Sequence, residues 1–180
     1  MATEEQIAIS STGAERGTID VPVPPTPDGD PPERLSIPAL GLDVPVTPVG
    51  MIPSDVAEGV FEWDVPVGRV AGWLNTSAPM GRAGNTVLDG HHNIDGEVFR
   101  GLWELAVGDE ITLSSAGEAR RYGVSDVLIL PERYQPLEVR LKNASYIQPT
   151  EDERLTLITC WPYSGNTHRV VVIAYPSGSR

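Results

Sequence analysis

The sequence has one cysteine, little positive charge and no long apolar run, and each shortage excludes a class of protein. A single cysteine among 180 residues forbids an internal disulfide and a cysteine-rich zinc site, so the chain is neither a disulfide-stapled scaffold nor a zinc finger. The 13 basic and 25 acidic side chains give a net charge of -12, which opposes the binding of nucleic-acid phosphates. We therefore expect no nucleic-acid partner.

The N-terminal residues have the composition of a linker. No run of about 18 apolar residues occurs anywhere, and the N-terminus lacks the basic and apolar regions of a secretory signal. Residues 1–33 contain seven acidic side chains, one arginine and six prolines, and they cannot bury enough apolar surface to offset the entropy cost of ordering. We predict a disordered, acidic, proline-rich linker over residues 1–33 and one folded domain over residues 34–180. A linker implies an attachment at its other end, so we expect an anchor upstream.

The folded domain consists of short β-type runs separated by turn residues. Eight strands are predicted, over residues 35–40, 44–49, 68–74, 85–89, 110–113, 122–130, 154–159 and 169–175. Short strands at regular spacing favour an all-β closed barrel over alternating strand–helix units. One short helix is predicted over residues 98–105, where Phe99, Leu102, Trp103 and Leu105 approximate a helical face that would cap the barrel.

Cys160 ends a predicted strand immediately before the turn-forming residues Trp161 and Pro162. A strand end of this kind faces solvent and substrates, and a thiol there is a nucleophile if a nearby cation lowers its pKa. The alternative is an inert core residue, because free cysteines are among the most buried residue types.

Arg169 opens the last predicted strand. A hairpin of residues 154–160 with 169–175 would bring Arg169 beside Cys160 across the ladder. An arginine does not give up its proton at working pH, so its planar donors suit a developing oxyanion rather than acid–base chemistry. A surface ion pair is the alternative role.

Two histidines, His91 and His92, lie in a glycine-bounded loop after the strand at 85–89. Adjacent side chains of extended backbone point to opposite sides, so only one of the two faces the thiol, and the residues alone do not decide which. The alternation of Asp89, His91, Asn93 and Asp95 also permits a metal site. However, the closing acid of an EF-hand is missing, and zinc would need more histidine or cysteine. We expect no metal or cofactor.

Taken together, these segments resemble the sortase family of bacterial cysteine transpeptidases. The family's Thr-Leu-x-Thr-Cys strand is matched by Thr156-Leu157-Ile158-Thr159-Cys160, an arginine follows on the next strand, and residues 84–91 are similar to the stretch that leads into the family's catalytic histidine. The likeness covers about residues 34–176 and implies an eight-stranded β-barrel. The short loop from Cys160 to Arg169 resembles classes D and E of the family.

The resemblance implies that Cys160 is the nucleophile, His91 the general acid and base, and Arg169 the oxyanion-side arginine. The thiolate would cleave a Leu-Pro-x-Thr-Gly-like sorting signal between Thr and Gly, and an amine on a cell-wall precursor or pilin would open the thioacyl-enzyme. The enzyme would act as a monomer, tethered at the outer face of the bacterial membrane, to anchor surface proteins. Residues 131–153 would form a wall of the substrate groove, and their acids either bind calcium, as in some relatives, or are simply solvated.

Two other functions are consistent with the same residues. The first is a non-enzymatic β-barrel binding module in which Cys160 is buried. The second is a hydrolytic cysteine peptidase that uses the same site with water as the acceptor.

Overall fold

The computed structural model describes residues 29–53 and 61–178. Within these ranges the chain forms ten strands and one α-helix, α1 (Leu137–Ala144). The strands are β1 (Arg34–Ile37), β2 (Leu42–Val49), β3 (Met51–Pro53), β4 (Phe61–Trp63), β5 (Ala71–Leu74), β6 (Gly84–Asp89), β7 (Glu110–Ser115), β8 (Glu118–Pro131), β9 (Glu153–Trp161) and β10 (His168–Pro176). None of the helices in these ranges is long and apolar enough to span a membrane.

Eight of the strands close a barrel in the order β1-β2-β5-β6-β9-β10-β8-β7, while β3 and β4 form a separate two-stranded sheet. Strand β6 runs parallel to β9, and β10 runs antiparallel to β9. Each of the eight predicted strands overlaps one barrel strand, although residues 38–40 form a 3-10 turn and β5 begins only at Ala71, and the prediction of a closed eight-stranded barrel is confirmed.

The barrel core explains why the register of β9 and β10 is fixed. Leu155 and Leu157 of β9 and Val170 and Val172 of β10 all point into the core and are fully buried. Each such side chain contributes about 1.5–3 kcal/mol on burial. Side chains alternate along a strand, so a slip by one residue would expose these four and turn Cys160 into the barrel.

Two local predictions differ from the structure. The helix predicted over residues 98–105 is only a single 3-10 turn, Leu102–Glu104, because Gly101 interrupts it and glycine is a poor helix former. Phe99 and Leu102 still enter the core, whereas Trp103 is exposed. Helix α1 was not predicted, because its eight residues are too few for a periodic pattern to stand out, and its apolar Leu137 and Leu141 are exposed.

Residues 1–28 of the predicted linker lie outside the described residues. At the other end of that segment, the Glu33 N–H donates to the Ser114 carbonyl at 2.9 Å, and the Glu33 carbonyl accepts from Val46 at 2.8 Å. Backbone pairing with the barrel therefore includes Glu33.

Candidate active site

Cys160 and Arg169 face each other across the β9–β10 hairpin, as the sequence predicts. The two residues are directly paired in the antiparallel ladder, and Nη1 of Arg169 lies 2.9 Å from Sγ of Cys160. Both side chains project from the outer face of the barrel, opposite the core-facing Leu157 and Val170. The thiol therefore has a fixed cationic hydrogen-bond donor beside it.

The groups around Cys160 shift the pKa of its thiol in opposite directions. Burial raises the pKa of the Cys160 thiol, and the charge of Asp89 adds to the rise, while the Arg169 guanidinium lowers it. The net pKa is above the ordinary value, so the neutral thiol predominates at neutral pH. Arg169 stabilises the thiolate once its proton leaves.

Asp89 is a third polar group on this outer face, at the end of β6. Its Oδ1 accepts a hydrogen bond from the Gly90 N–H at 2.6 Å. Burial of the carboxylate raises the pKa of Asp89 to about 7, against a smaller lowering by Arg169. The charge of Asp89 therefore changes near neutral pH, a property that the residue's sequence position alone does not reveal.

His91 lies in the loop that follows β6. The parallel ladder of β6 and β9 ends where Asp89 pairs with Ile158, and His91 and Cys160 each come two residues later in the chain. The Thr159 hydroxyl donates to the Gly90 carbonyl at 2.6 Å and so ties the two strand ends together. The His91 side chain is 22% exposed, and its Nε2 lies 3.8 Å from Oδ2 of Asp95. It is accessible to a substrate.

His92 has a different environment. Its side chain is buried and packs edge-on to the Tyr163 ring at 5.9 Å, and its Nδ1 has no hydrogen-bond partner among the residues that the structure describes. Burial lowers the pKa of His92, which favours the neutral ring. Of the two candidate histidines, the structure therefore makes His91 the accessible one and gives His92 a packing role.

Tyr163 joins the loop that carries His91 to the loop that follows Cys160. Its carbonyl accepts a hydrogen bond from Nδ2 of Asn93, and its hydroxyl donates to Oε1 of Glu97 at 2.6 Å. The Arg100 guanidinium lies 4.9 Å above the ring. These contacts hold two separate segments of the site together.

Gly90 precedes His91 at a point where the backbone leaves no room for a side chain. An added Cβ would lie 2.5 Å from Cγ1 of Val98 and 2.7 Å from Cδ2 of Phe99, both of which are buried. The glycine before the histidine is therefore required by close packing.

Thr156, the first threonine of the Thr-Leu-x-Thr-Cys segment, hydrogen-bonds to a side chain of β6. The Thr156 hydroxyl donates to Oδ1 of Asn85 at 2.7 Å, and Nδ2 of Asn85 donates to the carbonyls of Tyr146 and Gln148. These bonds attach the segment after α1 to β6 and β9. Like Thr159, Thr156 positions backbone rather than contacting the thiol.

A cavity of about 450 Å³ opens beside Cys160 and Arg169. Its other lining residues are Asn166 and, from the predicted groove wall, Glu132, Arg133, Tyr134, Gln135 and Arg140. The sequence indicated this segment but not its individual residues. The sequence feature that could have indicated a cationic cavity is the presence of Arg133 and Arg140 in the acidic segment 131–153.

The acids of residues 131–153 do not form a calcium site. Glu132 accepts from Arg140 at 3.2 Å and from Asn143 at 2.8 Å, while Glu153 accepts from Arg120 at 2.8 Å on another part of the barrel. In the parts of the chain that the structure describes, no three His, Cys, Asp or Glu side chains are grouped closely enough to hold a metal ion. The donor set does not fit calcium.

Comparison with known proteins identifies the family. A family model described as the sortase domain matches residues 35–177. The chain is 30% identical over 145 residues to sortase SrtE1 of Streptomyces coelicolor, an alignment that covers 77% of this chain. The chain spans only 38% of the length of that curated relative.

Two solved structures show the same fold. Sortase A from Corynebacterium diphtheriae, in a lid mutant, superimposes with a TM-score of 0.61 at 24% identity, covering 85% of this chain and 74% of that one. Sortase C-1 from Actinomyces oris gives a TM-score of 0.61 at 22% identity, covering 84% and 76%. The family match spans almost the whole described domain and confirms the resemblance found in the sequence. The chain belongs to the sortase family of cysteine transpeptidases.

Proposed function

We propose that this domain transfers proteins carrying a Leu-Pro-x-Thr-Gly-like sorting signal to an amine, with Cys160 as nucleophile, His91 as general acid and base, and Arg169 as oxyanion stabiliser. The observation that carries the proposal is the 2.9 Å contact between Nη1 of Arg169 and Sγ of Cys160. A cation in that position favours the thiolate and also lies within reach of a carbonyl oxygen under attack.

In the first half of the reaction, the thiol of Cys160 loses its proton to His91 as the sulfur attacks the threonine carbonyl. The new C–S bond places a negative charge on the carbonyl oxygen, where Arg169 donates hydrogen bonds. Collapse breaks the Thr–Gly bond, and His91 returns the proton to the leaving glycine amine. A thioester on Cys160 remains.

In the second half, an acceptor amine gives a proton to His91 and attacks the thioester carbonyl. Collapse forms an amide and expels the Cys160 thiolate, which Arg169 stabilises until His91 returns the proton to the sulfur. One difficult amide exchange is thus divided into two easier steps. Burial favours the neutral thiol at rest, so the attack depends on proton transfer to His91.

The natural substrates proposed from the family fall into two classes of molecule, a donor and an acceptor. The donor is a sorting-signal protein, and the acceptor is an amine of a cell-wall precursor or a pilin lysine. Sortases act at the cell surface, and we place this domain at the outer face of the membrane. The similarity to SrtE1 supports class E over class D.

Product analysis tests this function. A panel of labelled peptides, varied at each position of the signal, is incubated with the enzyme and a glycine peptide, and products are identified by mass spectrometry. We expect cleavage after Thr and ligation of the acyl part to the added amine, both abolished in Cys160→Ala. Cleavage without ligation at saturating amine would instead identify a hydrolytic peptidase. Binding without cleavage of any peptide would identify a binding module.

A further inference from the structure

The cavity beside Cys160 carries positive charge on a chain whose net charge is -12. Three arginines and one glutamate line it, a surplus of two positive charges before any substrate binds. Glu132 is already engaged by Arg140 and Asn143, and Arg169 donates to the thiol. Arg133 has no carboxylate within 4 Å among the residues that the structure describes. The guanidinium of Arg133 is therefore available to bind an anionic group of a ligand.

The backbone around Arg133 is held firmly. The N–H groups of Glu132 and Arg133 both donate to the Thr167 carbonyl at 2.9 Å, next to the start of β10. Gln135 N–H closes a turn onto the Glu132 carbonyl at 3.3 Å, with Tyr134 at a φ of +66°. A bulky residue keeps that left-handed conformation only where its surroundings impose it. The turn therefore has a defined place relative to Arg169 and Cys160.

The Arg133 side chain is also pre-positioned. Its guanidinium lies 5.1 Å from the centre of the Tyr134 ring, a separation typical of cation–π contact. Tyr134 is 85% exposed, so this stacked pair is open to an incoming ligand at the cavity. Stacking on a ring leaves the edge N–H groups free, and these form paired hydrogen bonds with a carboxylate.

We propose that Arg133 is a specificity-determining residue that binds a carboxylate of the substrate close to the scissile bond. The proposal rests on the transpeptidase function above and names a substrate class for it. Two parts of the reaction can supply the carboxylate: an Asp or Glu side chain of the donor peptide, or a carboxylate on the amine acceptor. A positive cavity on an acidic protein also concentrates anionic substrates locally and excludes basic ones.

Peptide binding tests the donor source without requiring chemistry. Full-length Cys160→Ala is titrated with paired signal peptides that differ only by Asp against Asn, or Glu against Gln, at the variable signal position or at a flanking residue. We expect the acid to bind about fivefold to tenfold more tightly than its amide for at least one position. The double variant Cys160→Ala/Arg133→Gln should bind both members equally, and Cys160→Ala/Arg133→Glu should prefer a lysine peptide.

Single-turnover transfer tests the acceptor source. Preformed thioacyl-enzyme is reacted with glycylglycine or with glycylglycinamide, which differ in the terminal carboxylate. A preference for the acid that is lost in Arg133→Gln assigns the carboxylate to the acceptor. Arg82→Gln is the matched control, because Arg82 is an exposed arginine outside the cavity lining. It should behave as the wild type in both experiments.

The proposal is overturned if no acid–amide pair is distinguished in either experiment, or if the preference persists in Arg133→Gln. Failure of the transpeptidase function gives a different result. In that case no peptide acylates the wild-type enzyme, while the binding titration still reports whether Arg133 recognises a carboxylate.

Discussion

At the scale of single residues, the contact between Arg169 and Cys160 explains how a half-buried thiol can react. Replacement of Arg169 by alanine removes the charge that lowers the pKa of the thiol, and burial and Asp89 then act unopposed. We expect Arg169→Ala to alkylate more slowly than the wild type at pH 8 and to lower kcat by about 100-fold to 1,000-fold. Iodoacetamide kinetics across pH and steady-state transfer measure the two effects. An unchanged alkylation profile would exclude the guanidinium as a thiolate stabiliser.

Asp89 gives a second prediction at this scale, through the pH dependence of stability. Its pKa rises from 3.8 to about 7 on folding, so between these values the unfolded chain loses a proton that the folded chain keeps. Stability therefore falls as pH rises through that window. Asp89→Asn has no carboxyl group to ionise, so its stability does not fall in this way. Its free energy of unfolding should exceed that of the wild type by about 2–4 kcal/mol at pH 8 and differ little near pH 4. Urea unfolding at both pH values measures it.

The same substitution tests the link between Asp89 and the thiol. Ionised Asp89 raises the pKa of Cys160, so Asp89→Asn should alkylate faster than the wild type at pH 8. Identical pH dependence of stability and of alkylation in the two proteins would show that the Asp89 carboxylate is not enclosed as described.

At the scale of elements, the two loops of the site depend on Tyr163. Tyr163→Ala removes the ring against which Arg100 and His92 pack and the hydroxyl that binds Glu97. We expect kcat to fall about tenfold or more with a smaller change in KM, because misplacement of an acid–base group by 1 Å is costly. Transfer kinetics measure this effect.

Two variants serve as controls for Tyr163. Tyr163→Phe keeps the ring and should retain most activity, while Tyr175→Ala removes a tyrosine of similar exposure from β10. Equal kcat in Tyr163→Ala and Tyr175→Ala would mean that Tyr163 does not hold the loops in place.

The elements also show how far the sequence is informative. Alternation and β-branched residues were enough to locate the barrel strands, because β1 and β7 bury every second residue and β10 contains a buried β-branched run, Val170–Ile173. The Cys160–Arg169 pairing was predictable as well, since a hairpin joins neighbours along the chain. Strand order around the barrel was not, because the β6–β9 pairing joins residues about 70 positions apart.

The choice between His91 and His92 illustrates the same limit within the site. Alternation shows that the two side chains diverge, but burial decides which one is accessible. One ring that packs against buried His92 belongs to Tyr163, more than 70 positions away. Arg133 was unpredictable for a related reason, since only the anchoring of its turn to Thr167 brings it to the cavity. At the level of sequence, only the family resemblance favoured His91 over His92.

At the scale of the whole molecule, the barrel separates its reactive end from a stabilising cluster. Glu153, at the first residue of β9, accepts from Arg120 at 2.8 Å and from the buried Tyr122 hydroxyl at 3.0 Å. Cys160 lies seven positions after Glu153 along the extended strand, a distance of about 23 Å. Stability and chemistry are therefore supported by different residues.

Glu153→Ala tests that separation. It leaves the Tyr122 hydroxyl and the Arg120 guanidinium without their acceptor, and we expect a loss of about 1–3 kcal/mol in the free energy of unfolding. The kcat of transfer, measured well below the unfolding midpoint, should remain within about twofold of the wild type. A large fall in kcat at intact folding would show that the two ends are coupled.

The central claim is that Cys160 forms a covalent acyl-enzyme, and intact-protein mass spectrometry tests it most directly. The enzyme is mixed with a sorting-signal peptide in the absence of an amine acceptor and quenched in acid. We predict a mass increase equal to the peptide segment up to Thr, located by digestion to Cys160, removed by hydroxylamine and absent in Cys160→Ala. Cleaved peptide formed without this adduct, at the same rate in Cys160→Ala, would contradict the account.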